Sequence, residues 1–265
     1  MKIEKRRRIL KIVLSRPDIG NSLDPHTILK LRKEFLDAQT NDEINVIQLM
    51  GEGEKDFCTG MDINAARDLS PQNKSNIANL AGDIATLIYH GKPTIVALNG
   101  RAMGMGVVFS VAADYRIAKK GIKLRMPEVN FSIFPGASCI VQMNRVCGQS
   151  WTRRILMRGN YFTPETAKKA NIIDEIAEPD DFERKTKKIV RDFRKKNPVL
   201  LKAIKKAIVG TEELSYGEGV QLEDKFSQYY LWDNPEEVFE ESFQKFSLNF
   251  PLLGKPELLE KELQS

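Results

Sequence analysis

Residues 95–118 read Ile95-Val96-Ala97-Leu98-Asn99-Gly100-Arg101-Ala102-Met103-Gly104-Met105-Gly106-Val107-Val108-Phe109-Ser110-Val111-Ala112-Ala113-Asp114-Tyr115-Arg116-Ile117-Ala118. The order is an apolar strand-length run, a glycine-bearing turn, an apolar helical segment and a second strand-length run. Glycines directly before a helix let the backbone approach a ligand and leave free N–H groups at the positive helix end. Such groups can hold developing negative charge. Met126-Pro127-Glu128-Val129 follows, leading to Phe134-Pro135-Gly136-Ala137. Glu128 is the evident base beside the glycine turn.

Working outward, Ile9–Leu14 and Val46–Met50 read as strands. Asp24-Pro25 is an N-cap followed by proline at the first helical position, and Ile28, Leu31 and Phe35 give that helix its apolar face. Ile77, Leu80, Ile84, Leu87 and Ile88 mark another helix, which leads through Pro93 to the strand Thr94–Leu98. Strand–helix–strand repetition argues for an α/β chain of right-handed crossover units. From Gln149 the pattern is nearly all helical, with starts at Thr163-Pro164, Asn197-Pro198 and Asn234-Pro235. A composition shift near residue 196 divides a core (1–196) from a helical C-terminal region (197–265), with amphipathic helices at Leu214–Trp232 and Pro235–Phe246.

With 265 residues, 42% hydrophobic and 29% charged, the chain is globular in composition, and no apolar run approaches the ~20 residues of a membrane span. Cys58, Cys139 and Cys147 lack metal-ligand spacing and leave one thiol over in any disulfide scheme. A reducing, cytoplasmic setting is expected, with no metal. The net charge of +5 fits a lysine-rich surface, a polyanionic small molecule or nucleic acid. The run 185–196 interleaves Ile189, Val190 and Phe193 at helical spacing, so it reads as a helix with a solvated basic face. No nucleic-acid motif accompanies it or the Lys2–Arg8 cluster, so nucleic acid is not an expected partner.

The glycine turn and the Glu128 segment resemble the crotonase (enoyl-CoA hydratase/isomerase) family. Asp56-Phe57-Cys58-Thr59-Gly60-Met61-Asp62-Ile63 looks like its first oxyanion loop, and Arg16-Pro17 with Asn21-Ser22-Leu23 like its CoA-side loop. Thr163-Pro164-Glu165 to Ala170, with Ile172 to Ile176, resembles the segment closing its core. Four motifs in family order, from about Leu10 to Phe246, cover nearly the whole chain. The resemblance implies a crotonase (ClpP-like) fold: repeated ββα units forming a core, with a helical C-terminal region that builds trimers and hexamers. It implies an acyl-CoA thioester substrate, with coenzyme A present only as part of that substrate.

In the family's pattern, the backbone N–H groups of Met61 and Met105 form the oxyanion hole and Glu128 is the catalytic carboxylate. Arg16, Asp62, Ile63, Gly104, Val108 and Pro135 fall at substrate-side positions; Asp62 also reads as a cap for the turn after it. The family commonly has glycine where Met105 stands. Its hydratases carry a second glutamate four residues after the first glycine of the loop; counting from Gly104 gives Val108, and Asp114 fixes the register. Hydration needs a water activated between two carboxyl groups, which valine cannot provide. Moving a 3-enoyl double bond to the 2-position needs one base, so the pattern looks most like Δ3,Δ2-enoyl-CoA isomerases. Hydratase activity is the alternative, and a non-catalytic basic RNA- or partner-binding protein on the same scaffold is the reading from another class. His26 and His90 read as exposed and helix-terminal, Cys58 as a packing residue. Tyr161, Tyr229, Tyr230 and Trp232 read as core or acyl-pocket aromatics, and Lys202, Lys205 and Lys206 as a solvated face.

Overall fold

The computed structural model describes residues 1–231 and 252–264. Two compact units divide the chain: Met1–Lys195 with Leu252–Ser265, and Lys196–Pro251.

In the first unit, strands β1 (Lys2–Arg6), β2 (Ile9–Leu14), β3 (Val46–Gly51), β5 (Thr94–Leu98), β7 (Tyr115–Lys119) and β10 (Glu175–Ala177) form a six-stranded sheet in the order β1-β2-β3-β5-β7-β10. All neighbours are parallel except the β1–β2 hairpin. Strands β4 (Asp56–Cys58), β6 (Arg101–Met103), β8 (Leu124–Arg125) and β9 (Tyr161–Phe162) form a second sheet in that order. Helices α2 (Pro71–His90), α3 (Met105–Ala112) and α4 (Cys139–Arg158, broken at Gly148) follow β4, β6 and β8. Each unit β3-β4-α2, β5-β6-α3 and β7-β8-α4 therefore sends its first strand to one sheet and its second to the other. This is the repeated ββα core of a crotonase fold.

The local reasons match the sequence pattern. Strands β3 and β5 are nearly all buried because helices cover both faces of this parallel sheet, so they read as continuous apolar runs. Helix α1 (Pro25–Thr40) starts where Asp24 accepts from Thr27 N–H at 2.8 Å, ahead of Pro25. Ser70 and Thr163 cap α2 and α5 (Pro164–Lys169) in the same way. Phe35, Ile47, Leu49, Phe57, Leu80 and Phe109 are completely buried in the main core.

Three expectations are corrected. The Lys2–Arg8 cluster, read only as charge, contains β1, whose lysines and arginine sit on an exposed sheet edge where charge discourages further pairing. The stretch after Gln149 holds β9 and β10, strands of two and three residues that are too short to show periodicity. Residues 252–264, assigned to the C-terminal region, belong to the first unit through helix α9 (Pro256–Leu263). The buried carboxylate of Asp83 on α2 accepts from Leu253 N–H at 2.8 Å, Asn76 exchanges hydrogen bonds with Lys255, Glu262 accepts from Ser70, and Leu259 is fully buried.

Helix α6 (Phe182–Arg194) covers the other face of the six-stranded sheet through Phe182, Ile189 and Val190. The second unit contains α7 (Pro198–Gly210) and α8 (Tyr216–Leu231). On α7 the apolar Ile204 and Ile208 are exposed while Lys205 is buried, so Lys205 is not on a solvated face. The expected helix at Pro235–Phe246 and Trp232 lie outside the described residues. No helix among the described residues is long and apolar enough to cross a membrane.

Candidate active site

Three loops meet at one point. Gly60 (φ 91°) ends the loop after β4, Gly104 (φ 48°, ψ −117°) precedes α3, and Glu128 opens a 3-10 turn after Pro127. The close approach requires both glycines. A methyl group on Gly104 would stand 3.1 Å from Glu128 Oε1, and one on Gly60 3.1 Å from the Met103 carbonyl oxygen. Both backbones also hold positive φ, which side chains with a Cβ rarely adopt.

Met61 follows Gly60 and Met105 is the first residue of α3. Leu23 N–H donates to Gly60 O at 2.8 Å and Asp62 N–H donates to Leu23 O at 2.9 Å. That bridge uses the groups on either side of Met61, so the N–H of Met61 points away from it. The N–H of Met105, at the start of a helix, has no intrahelical acceptor. Among the described residues, neither N–H donates to a protein acceptor. Two free donors beside one carboxylate is the arrangement that enolate stabilisation requires.

These groups line a cavity of about 270 Å³. Of the expected site residues, the fold gathers Met61, Ile63, Gly104, Met105, Val108, Glu128 and Pro135 around it. Ala81, Val108 and Cys139 form its buried floor, whereas Ile63 and Phe134 are exposed at its rim. Glu128 Oε2 is buried without a hydrogen-bond partner among the described residues. Burial pushes the Glu128 carboxyl above its ordinary value, and a hydrogen bond to its own backbone offsets part of that rise. A proton shuttle works best when its pKa lies toward the working pH, and burial moves Glu128 in that direction.

Arg16 and Asp62 are not in the cavity wall. Arg16 pairs with Asp62 at 3.0 Å and Asp24 at 3.5 Å and donates to Ser22 O at 2.9 Å. Asp62 also accepts from Ala65 N–H at 3.1 Å, the capping role read from sequence. This ion pair ties the Asn21–Leu23 loop to the oxyanion loop. Asn21 adds to it by donating to the carbonyls of Asp56 and Glu52. Cys58 is buried, its thiol pushed up to about 12 by desolvation, and it accepts from Gly60 N–H at 3.5 Å, which is a packing and loop-holding role. Asp114 accepts from Thr94 N–H at 2.7 Å, which ties the start of β7 to the start of β5. Tyr161 lies at the surface under Arg125, away from the cavity. His26 is exposed, and His90 ends α2 in an edge contact with Tyr89.

Sequence reasoning missed Phe131 and Ile133 as wall residues, along with Ala78, Ala81 and Cys139. A usable signal was present: Phe131, Ile133 and Phe134 are too apolar for a loop that does nothing but turn.

The sequence profile of the enoyl-CoA hydratase/isomerase family matches residues 4–247. The chain is 27% identical over 222 residues to an enoyl-CoA hydratase/isomerase relative of Bacillus subtilis, which covers 83% of this chain and 85% of the relative. It is 23% identical over 250 residues to crotonyl-CoA hydratase of Syntrophomonas wolfei, covering 94% of this chain and 96% of that one. The crystal structure of an enoyl-CoA hydratase from Bacillus anthracis superposes with a TM-score of 0.83 at 22% identity, over 92% of this chain and 96% of that chain. With the profile spanning most of the chain, the protein belongs to the enoyl-CoA hydratase/isomerase family of enzymes that transform acyl-CoA thioesters.

Proposed function

We propose that the protein isomerises a 3-enoyl-CoA to the 2-enoyl-CoA. The observation that carries this reading is the wall of the cavity. Among the described residues lining it, Glu128 is the single carboxylate, and the buried Val108 stands where the second glutamate is expected by register. The ionised Glu128 takes a proton from C2 while the thioester oxygen becomes an enolate oxygen held by the N–H groups of Met61 and Met105. The C2–H electron pair forms C1=C2 of the dienolate; as the enolate oxygen re-forms the carbonyl, that pair moves to C2=C3 and the C3=C4 pair takes the proton at C4 from the now neutral Glu128. Charge and protons balance, and no water enters.

Hydration is the second reading. What favours it is that several of the relatives are named as hydratases, among them (E)-benzylidenesuccinyl-CoA hydratase of Thauera aromatica at 27% identity. The pure protein offered 3-enoyl-, 2-enoyl- and 3-hydroxyacyl-CoA esters is expected to isomerise the first much faster than it hydrates crotonyl-CoA. Comparable hydration would sink the isomerase reading. As a converse, Val108→Glu places a second carboxyl across the cavity and is expected to create weak crotonyl-CoA hydration absent from wild type. A folded variant without any gain counts against the role given to Val108.

The protein is further read as a homotrimer or hexamer working in a reducing compartment such as the cytoplasm. Leu200, Ile204 and Ile208 recur every fourth residue on α7, and the last two are 47% and 62% exposed, an apolar stripe of the kind that marks contact surfaces. Light scattering at micromolar concentration is expected to give a trimeric or hexameric mass; a monomer would contradict it.

A further inference from the structure

On the α6 side of the six-stranded sheet, away from Glu128, lies a second cleft of about 590 Å³. Strand alternation creates it. Ile47 and Leu49 point into the main core, so Gln48 and Met50 point to the opposite face. The cleft runs along the sheet face from the amino end of β2, at Arg7 and Ile9, to the carboxyl ends of β3, β5 and β7, where Gly53, Asn99 and Lys119 line it.

Its floor is apolar, made by Ile9, Met50, Phe182 and Val190, with one exception. Gln48 is only 9% exposed, yet its amide donates solely to the Met50 thioether at 3.5 Å, a weak acceptor, and its carbonyl has no partner among the described residues. Its carbonyl oxygen is not sealed from solvent, so the amide is open to a partner placed in the cleft.

The rim is cationic. Arg6, Arg7, Lys11, Lys119, Lys187 and Arg191 face the carboxylates of Glu4, Glu54, Asp180 and Glu183, a surplus of two positive charges. Lys119 pairs with Glu54 and Lys187 with Glu183, whereas Arg6, Arg7 and Arg191 make no ion pair among the described residues. Arg7 is also held in an unfavourable conformation. Arg6 pairs with Ile9 across a two-residue hairpin whose turn residues, Arg7 and Arg8, have φ of 51° and 63°. Turns with both central residues at positive φ favour Asn-Gly, and arginine in both places is strained. Strain of that kind persists where a side chain is needed for function.

We propose that this cleft is a second ligand site that takes an adenine nucleoside monophosphate. The floor accepts the flat faces of the ring. Gln48 presents a donor and an acceptor side by side, the complement of adenine's N7 and N6 amino group. A phosphate monoester carries about −1.5 to −2 charge near neutral pH, which matches the surplus on the rim.

Calorimetry with adenosine 5′-monophosphate tests this. One saturable site per chain is expected, with adenosine and ribose 5-phosphate each weaker by about tenfold or more. Gln48→Leu and the double change Arg7→Asn/Arg8→Gly should each weaken AMP binding by about tenfold or more, while Glu128→Gln should retain it. The double variant should keep or exceed the wild-type Tm, since it relieves the turn, so its lost binding is not lost folding. No saturable binding up to millimolar AMP overturns the proposal. So does binding that survives both cleft variants and is displaced by acyl-CoA, which would place the nucleotide in the substrate site.

Discussion

Replacing Glu128 by glutamine is expected to lower kcat by about 10²–10⁴-fold, the usual worth of a positioned acid–base group, and by the upper end of that range because in the proposed isomerisation one residue handles the proton twice. Glutamine keeps the shape of the side chain in a cavity already lined by Met105, Val108 and Cys139, so acyl-CoA affinity should change little. Loss confined to kcat is the signature sought; a variant of wild-type rate would move the chemistry elsewhere. A pH series adds an independent check. Burial raises the Glu128 pKa above its ordinary value, so the native state holds the proton over a range where the unfolded chain has released it. Stability is therefore lost as pH rises through that range, and wild type carries this cost at neutral pH. Glutamine, always neutral, removes it. Glu128→Gln should raise Tm at neutral pH, with the gain shrinking in acid, where both proteins are uncharged at this position. The wild-type kcat/KM should fall in acid with a one-proton limb placed above the ordinary carboxylate range.

The second large effect is expected from the backbone. Met105→Pro removes one of the two proposed oxyanion donors, and its loss should cost about 10²–10³ in kcat. Proline is tolerated at the first position of a helix, where the N–H has no intrahelical partner, and Met105 is the first residue of α3. Met105→Ala is the control. It keeps the N–H and loses the same packing of a nearly buried side chain, so it should lower Tm without a comparable fall in kcat. If alanine and proline reduce kcat equally, the side chain of Met105 matters and its N–H does not.

Much of this fold was legible residue by residue. The capped starts at Asp24-Pro25 and Thr163-Pro164 and the strands Ile9–Leu14 and Thr94–Leu98 stand where local chemistry put them. Caps act within one turn, and buried parallel strands announce themselves by continuous apolar runs. The second sheet was not legible in this way. Strands β4, β6, β8 and β9 are two or three residues long and exist because a neighbour supplies their hydrogen bonds. The same limit hid β1, whose five residues carry only one half-buried side chain.

Residue order alone gave the chemistry on offer: one glutamate after a proline, two glycine-bearing loops, and valine four residues after the first glycine of the second loop. These follow from residue identity and order, which folding does not alter. Which groups meet, and what each is free to do, depends on how distant segments pack. Packing leaves Glu128 Oε2 buried and, among the described residues, unpaired, engages Arg16 with Asp62 and Asp24 outside the cavity wall, and brings residues 252–264 back onto α2. Distances and desolvation between segments far apart in the chain are set by packing, and local sequence carries no record of them.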